Sequence, residues 1–262
     1  MLTMIKFRDY ALANMMDLEA ILAEVYTEHM KGKSGFALFD GGAHKGWHTR
    51  KMLDLLGCER VYAVEADPFM AETLRANLKD RASTPVPELK IVEMALQNDP
   101  EIGTISWKSS SSHVGRSSIA SSNEKRSTIW VDSKDIKYRD DTRVKATTID
   151  SILLGESLPV PFLKLDLEGA DLLALLGAKQ TLSTKRPIVA FENSIRAPEV
   201  HGFTLESISS YFESLGYVPM SFIGEPLSLA TWFSFFEAWA VPKEDAEWLA
   251  RTVGVATAKR SI

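Results

Sequence analysis

The chain has a single cysteine, Cys58, so no disulfide can form within it. That fits a reducing compartment, and the expected setting is cytoplasmic. It has no basic excess. Its 30 Lys and Arg face 35 Asp and Glu, giving a net charge of −5. A surface built for nucleic acid normally carries the opposite balance, so no nucleic-acid partner is expected. It has no apolar run long enough to span a membrane, and no membrane partner is expected. The opening MLTMIKFRDYALANMMDLEA is broken by Lys6, Arg8, Asp9, Asp17 and Glu19 and lacks the apolar core of a signal peptide. Internal repeats are absent, and no G-x-G-x-x-G occurs. What remains is an ordinary globular composition, 45% hydrophobic and 25% charged over 262 residues.

Within that composition strand and helix signals alternate. Residues 9–30 read as a helix, with Met15, Leu18, Leu22 and Val25 three or four apart. This helix either covers the site or pairs with another subunit. FALFD (36–40) reads as a strand, 47–56 as a helix ended by Gly57, and RVYAVEA (60–66) as a strand. Pro68 opens a helix to Leu78, and LKIVEMAL (89–96) reads as one further strand. The rhythm fails over 97–149, where TISW (104–107), STIWV (127–131) and RVKATTI (143–149) are short strand candidates. It resumes at VPFLKLDLEG (160–169), with a helix over 171–178, the strand PIVAFEN (187–193) and a helix over 204–215. YVPMSFI (217–223) and FFEAWAVP (235–242) suit an antiparallel pair. The fold class is therefore α/β, with a mostly parallel twisted sheet, an antiparallel late strand and helices on both faces. Ligands in such sheets sit beyond the carboxyl ends of the strands. The expected organisation is an N-terminal helical extension, 1–35, and one domain, 36–262, with 97–149 as a lid-like insertion.

The first strand ends in Asp40, followed at once by Gly41, Gly42, Ala43 and Gly46. Glycines at a strand-to-helix turn let backbone approach a ligand, and the helix start offers free N–H groups. Glu65 stands at the end of the next strand, where an acid can accept both hydroxyls of a ribose. Together these imply an adenosine cofactor. A carboxylate at the turn repels a pyrophosphate but attracts the ammonium and sulfonium of S-adenosylmethionine (SAM). The plain alternatives are an Asp40 bonded to its own turn and a Glu65 in a surface ion pair.

FALFDGGAHKGWHTR followed by VYAVEADPFMAETLRANL resembles the first half of a class I, Rossmann-like SAM-dependent methyltransferase. Joined by ATTIDSIL, FLKLDLEGADLLALLGAKQTL and RPIVAFEN, the chain is similar to the FkbM-type methyltransferases over roughly residues 36–220. The resemblance implies SAM as cofactor and a small hydroxylated acceptor, a sugar or natural product. It implies that Asp40 and Gly41, Gly42, Ala43, His44 and Gly46 contact the methionine end. It places Glu65 on the ribose with Ala66 and Asp67 beside it, and Glu93, Met94 and Ala95 around the adenine. The family usually has asparagine where this chain has His44. Histidine can still donate to a carboxylate, with a charge that varies near neutral pH.

In FLKLDLEG, strand alternation puts Lys164 and Asp166 on one face, with Glu168 just past the strand and Glu192 at the end of the next. These four are the candidate catalytic residues. A hydroxyl acceptor needs a base or a metal, and clustered acids supply either. The metal-free route is favoured because Lys164 would repel a divalent ion. The structural alternative is a Lys164–Asp166 ion pair, with Glu168 capping the following helix. The Ser-rich segment 109–127, containing His113, reads either as a lid or as a plain loop. Trp47 reads as core. Trp232, Phe233, Phe235, Phe236 and Trp239 read as core or as the contact of a homo-oligomer. Two rival functions are a non-catalytic SAM-binding adaptor domain and, disfavoured by Asp40, an NAD-dependent oxidoreductase.

Overall fold

The computed structural model describes residues 18–82, 87–108, 118–119, 142–194, 197 and 201–259. STIWV, His113 and residues 9–17 of the expected first helix lie outside the described residues. The main sheet has seven strands: β1 (Phe36–Gly41), β2 (Cys58–Val64), β3 (Glu88–Val92), β8 (Phe162–Leu165), β9 (Ile188–Glu192), β10 (Tyr217–Ser221) and β11 (Glu237–Pro242). Their order across the sheet is β10-β11-β9-β8-β1-β2-β3. Every neighbouring pair is parallel except those of β11, which runs antiparallel to both β9 and β10.

Alternation along the strands supplies both cores. Phe36 and Leu38, with Phe162, Ile188 and Trp239, face one side and bury against α1 (Leu18–Met30), α2 (Trp47–Leu53) and α9 (Ala246–Ala258). Ala37 and Phe39, with Leu163, Val189 and Phe191, face the other. They bury against α5 (Ile149–Ile152), α6 (Asp171–Leu176), α7 (Lys179–Thr184) and α8 (Leu205–Ser214). Ile21, Val25 and Tyr26 of α1 are fully buried in the first of these cores, so α1 is built into the sheet's covering layer. The Thr204 cap of α8 is a full reciprocal capping box with Ser207, and Ile208 and Phe212 carry the helix's buried stripe.

Three readings change. LKIVEMAL is two strands: β3 ends at Val92, and β4 (Ala95–Leu96) leaves the main sheet. It pairs with β7 (Thr142–Thr147), which joins β5 (Thr104–Lys108) and β6 (Ser118–Ile119) in a second sheet of order β4-β7-β5-β6. The stretch that breaks the βα rhythm thus contributes a sheet of its own. Trp47 is not core. It is 48% exposed, with Lys51 over its ring, because it opens α2 on the outer side. Trp232 and Trp239 are buried, whereas Phe233, Phe235 and Phe236 are half-buried. Among the described residues no helix is long and apolar enough to cross a membrane.

Candidate active site

A cavity of about 730 Å³, its mouth included, opens at the carboxyl edge of β1, β2 and β8. The turn after β1 contributes Gly42 and His44, and the end of β2 contributes Val64, Glu65, Ala66 and Asp67. Met70 enters from α3 (Pro68–Asn77), Met94, Ala95 and Leu96 from the β3–β4 link, and Trp107 from the second sheet. The far wall is the loop after β8, with Asp166, Leu167, Glu168 and Ala170.

The turn is closed by geometry that only glycine meets. Gly42 has φ +72°, and a Cβ there would lie 2.0 Å from the carbonyl oxygen of Asp166. The backbone N–H groups of Gly42 and Ala43 both donate to Val64 O at 2.9 Å, stitching the turn to β2. Gly46, at φ +87°, precedes α2 and is packed against Leu74 and Leu78 of the α3 side, so it is placed away from the cavity. His44 also has a positive φ, +50°. Its N–H donates to one Glu65 oxygen at 2.8 Å, and the Asp67 N–H donates to the other at 2.8 Å. Burial pushes the Glu65 carboxyl up to about 7, against those two N–H bonds. Burial also lowers the His44 pKa, and its Nε2 is covered and has no hydrogen-bond partner among the described residues. Asp67 is committed elsewhere: its carboxylate caps α3 by accepting from Phe69 and Met70 N–H.

Asp40 lies beneath the cavity, not on its wall. It is fully buried. One oxygen accepts from Thr49 Oγ1 at 2.5 Å, and the other is 3.5 Å from Lys164 Nζ. Lys164 is buried too, donates to Gly42 O at 3.1 Å and lies 3.6 Å from Asp166 Oδ2. Burial disfavours its charge, but Asp40 and Asp166 outweigh that and hold it protonated. The lysine therefore ties the ends of β1 and β8 together under the turn, with the Lys164–Asp166 pair of the structural alternative present. Gly41 is likewise behind the wall: a Cβ there would lie 2.7 Å from Leu165 Cδ2 and 3.2 Å from Leu96 Cδ1. Glu93 turns outward to Arg75 at 2.8 Å, while Met94 and Ala95 stay at the cavity. Of the four catalytic candidates, Asp166 and Glu168 line the cavity and are exposed. Glu168 has φ +53° and does not cap α6, whose start lacks a side-chain cap. Glu192 is buried at the end of β9, two strands from β1.

Several features were not read from the sequence. Asp171, at the start of α6, accepts from the N–H groups of Leu167 and Glu192 and pins the β8 loop to β9. Val64, Met70, Leu96, Leu167, Ala170 and above all Trp107 supply the cavity's apolar surface. The tryptophan of the short strand candidate TISW was the only sequence signal for the last.

The strand order, with a single reversed strand and a glycine turn at the end of β1, defines a Rossmann-like fold of the class I methyltransferase type. Residues 40–219 match the family described as Methyltransferase FkbM domain, and the chain belongs to that family. The cofactor that the sequence resemblance implies is SAM. The polar capacity in the cavity fits that molecule: each Glu65 oxygen accepts one N–H and retains a lone pair for a diol, and His44 Nε2 is unpaired. Among solved structures, a methyltransferase FkbM from Methylobacillus flagellatus KT is 18% identical, with TM-score 0.46, over 80% of this chain. This chain spans 45% of that protein's length. A SAM-dependent methyltransferase from Aquifex aeolicus is 12% identical, with TM-score 0.39, over 90% of this chain and 94% of its own. A search of curated proteins finds no match.

Proposed function

We propose that the protein is an O-methyltransferase that moves the methyl group of SAM to a hydroxyl of a small molecule in the cytoplasm. The observation that carries this reading is Asp166, an exposed carboxylate on the cavity wall opposite Glu65 and beside the lysine-braced turn. When bound, SAM supplies an electrophilic methyl on a positively charged sulfur. Glu65 accepts the ribose hydroxyls, Ala66 and Asp67 flank them, and Met94 and Ala95 bracket the adenine with Leu96 and Trp107 as its apolar wall. His44 faces the methionine carboxylate. Gly42 keeps the turn thin enough for the methionine end to approach, and Asp40 acts from below by holding Thr49 and Lys164. Asp166 takes the acceptor's hydroxyl proton as the oxygen bonds to the methyl carbon and the carbon–sulfur bond breaks. Glu168 borders the acceptor at the same mouth.

A base of this kind contributes about 10²–10⁴-fold to rate. Asp166→Asn keeps shape and removes basicity. It is expected to lower kcat by that factor and leave affinity for S-adenosylhomocysteine (SAH) nearly unchanged, and wild-type activity should survive exhaustive chelation. Full activity in both Asp166→Asn and Glu168→Gln would remove these acids from the chemistry. Loss of wild-type activity with EDTA, restored by Mg²⁺, would replace the metal-free route.

A further inference from the structure

Beyond the cavity, the same sheet edge carries a row of acids. On β8 and β9, Lys164 stands opposite Ala190, so one pleat further on Asp166 stands level with Glu192. Across the antiparallel ladder, Glu192 is directly opposite Glu237. Even-numbered β9 residues Ile188 and Ala190, and odd-numbered β11 residues Trp239 and Val241, face the core under α1 and α9. Glu192 and Glu237 therefore project from that same face. With strands spaced roughly 4.8 Å apart, the row Asp166–Glu192–Glu237 runs roughly 10 Å outward from the cofactor cavity. The row beneath it is Asp40, Lys164, Ala190 and Trp239.

Among the described residues, the outer two acids of this row have no partner to offset them. Glu192 is only 6% exposed, yet among the described residues its carboxylate has neither a hydrogen-bond donor nor a cationic partner. The carboxylate of Glu237 has none either. Among the described residues the one buried cation nearby, Lys164, is already shared by Asp40 and Asp166. The other groups facing the pair are Asp171 and Glu168 from the β8 loop side and Glu19 from α1, all acids, with Glu19 bonded to His48. Burial, followed by these neighbouring carboxylates, raises both Glu192 and Glu237 well above the usual range. A buried, unpaired acid such as Glu192 is costly, and the half-buried Glu237 facing it adds to that cost. The acids spread along a row, and no group of three or more among the described residues converges as a metal site does. An organic cation that lies along the row suits them better.

We propose that the acceptor is a hydroxylated molecule bearing a protonated amine, which Glu192 and Glu237 hold so that its hydroxyl reaches Asp166. This rests on the methyl-transfer reading of the adjoining cavity. The bound ammonium places one positive charge beside the pair, which favours ionisation of one of the two carboxyls with release of one proton to solvent.

The test uses methyl-tritiated SAM with matched acceptors: amino sugars and amino alcohols, such as glucosamine, each against its neutral hydroxyl counterpart, such as glucose. Transfer is expected to the amine-bearing members. Glu192→Gln/Glu237→Gln should raise KM for them about 100-fold or more, with kcat changed far less and SAH affinity within about twofold. The double variant should also melt higher than wild type, because two unpaired acids are gone. Transfer confined to neutral acceptors, or an unchanged KM in the double variant, would overturn the inference while SAH binding stands. Absence of SAH binding in wild type would overturn the methyltransferase reading and this inference with it. A methyl found on nitrogen would support the amine and overturn the hydroxyl as its target.

Discussion

The two halves of the sheet's carboxyl edge handle buried acids in opposite ways. Around β1 and β2 each acid has donors of its own. Asp40 accepts from Thr49 and is ion-paired with Lys164, Glu65 takes two backbone N–H groups, and Asp67 caps α3. Around β9 and β11, Glu192 and Glu237 face each other with no donor among the described residues. The first half is organised before any ligand arrives, as a rigid cradle for a cofactor of fixed shape must be. The second half holds acids without donors among the described residues, and the amine proposal rests on that difference. Preorganisation and incompleteness are thus separated by one strand, β8, and Lys164 on that strand neutralises only the first.

The largest expected break in that contrast is Lys164→Met. It leaves Asp40 buried without its cation and should cost about 3–5 kcal/mol of stability, the usual loss when one partner of a buried ion pair is removed. Urea unfolding at neutral pH measures it. A loss below about 1 kcal/mol would mean that Thr49 alone satisfies Asp40. Next comes Gly42→Ala. It forces a side chain into a left-handed turn and against the Asp166 carbonyl, so it should cost about 3 kcal/mol and weaken SAH binding together with stability. Binding without any stability loss would show that the turn gives way freely.

A smaller effect concerns pH. Glu65 rises from its ordinary 4.5 to about 7 in the folded, ligand-free protein. Below pH 4.5 both folded and unfolded chains hold its proton. As pH rises through 7 the folded state must give up a proton that the unfolded state has already lost, so that stability is present at low pH and lost above 7. Glu65→Gln removes this dependence. Between pH 4.5 and 8 the difference in unfolding free energy should move in the variant's favour by on the order of 2–3 kcal/mol. A difference that stays flat across this window would mean that Glu65 is ionised throughout.

The cradle was more legible in the sequence than the acid row, for a physical reason. FALFDGGAHKG announces a strand, an acid and a turn within eleven residues, and the next strand-end acid follows in VYAVEA. Such local patterns survive without knowledge of strand order. What escaped needed that order. Lys164 was placed beside Asp166 by alternation, but its Asp40 partner is set by β8 lying next to β1. Glu237 sits amid the aromatics of FFEAWAVP and gains meaning only opposite Glu192. The continuous apolar run LKIVEMAL hides the departure of β4, because its partner β7 is about fifty residues away. Glu93 looked like an adenine neighbour by position, but Arg75 on α3 draws it outward.

The most direct measurement is calorimetric titration of SAH into wild type and Glu65→Ala at pH 8, with NAD as the competing ligand. Wild type should bind SAH and ignore NAD. Loss of the charged acceptor of two ribose hydroxyls should weaken SAH by about 1–3 kcal/mol, a factor of roughly 5 to 150 in Kd. Equal SAH affinity in the two proteins, or a wild type that prefers NAD, would contradict the assignment of this cavity to SAM.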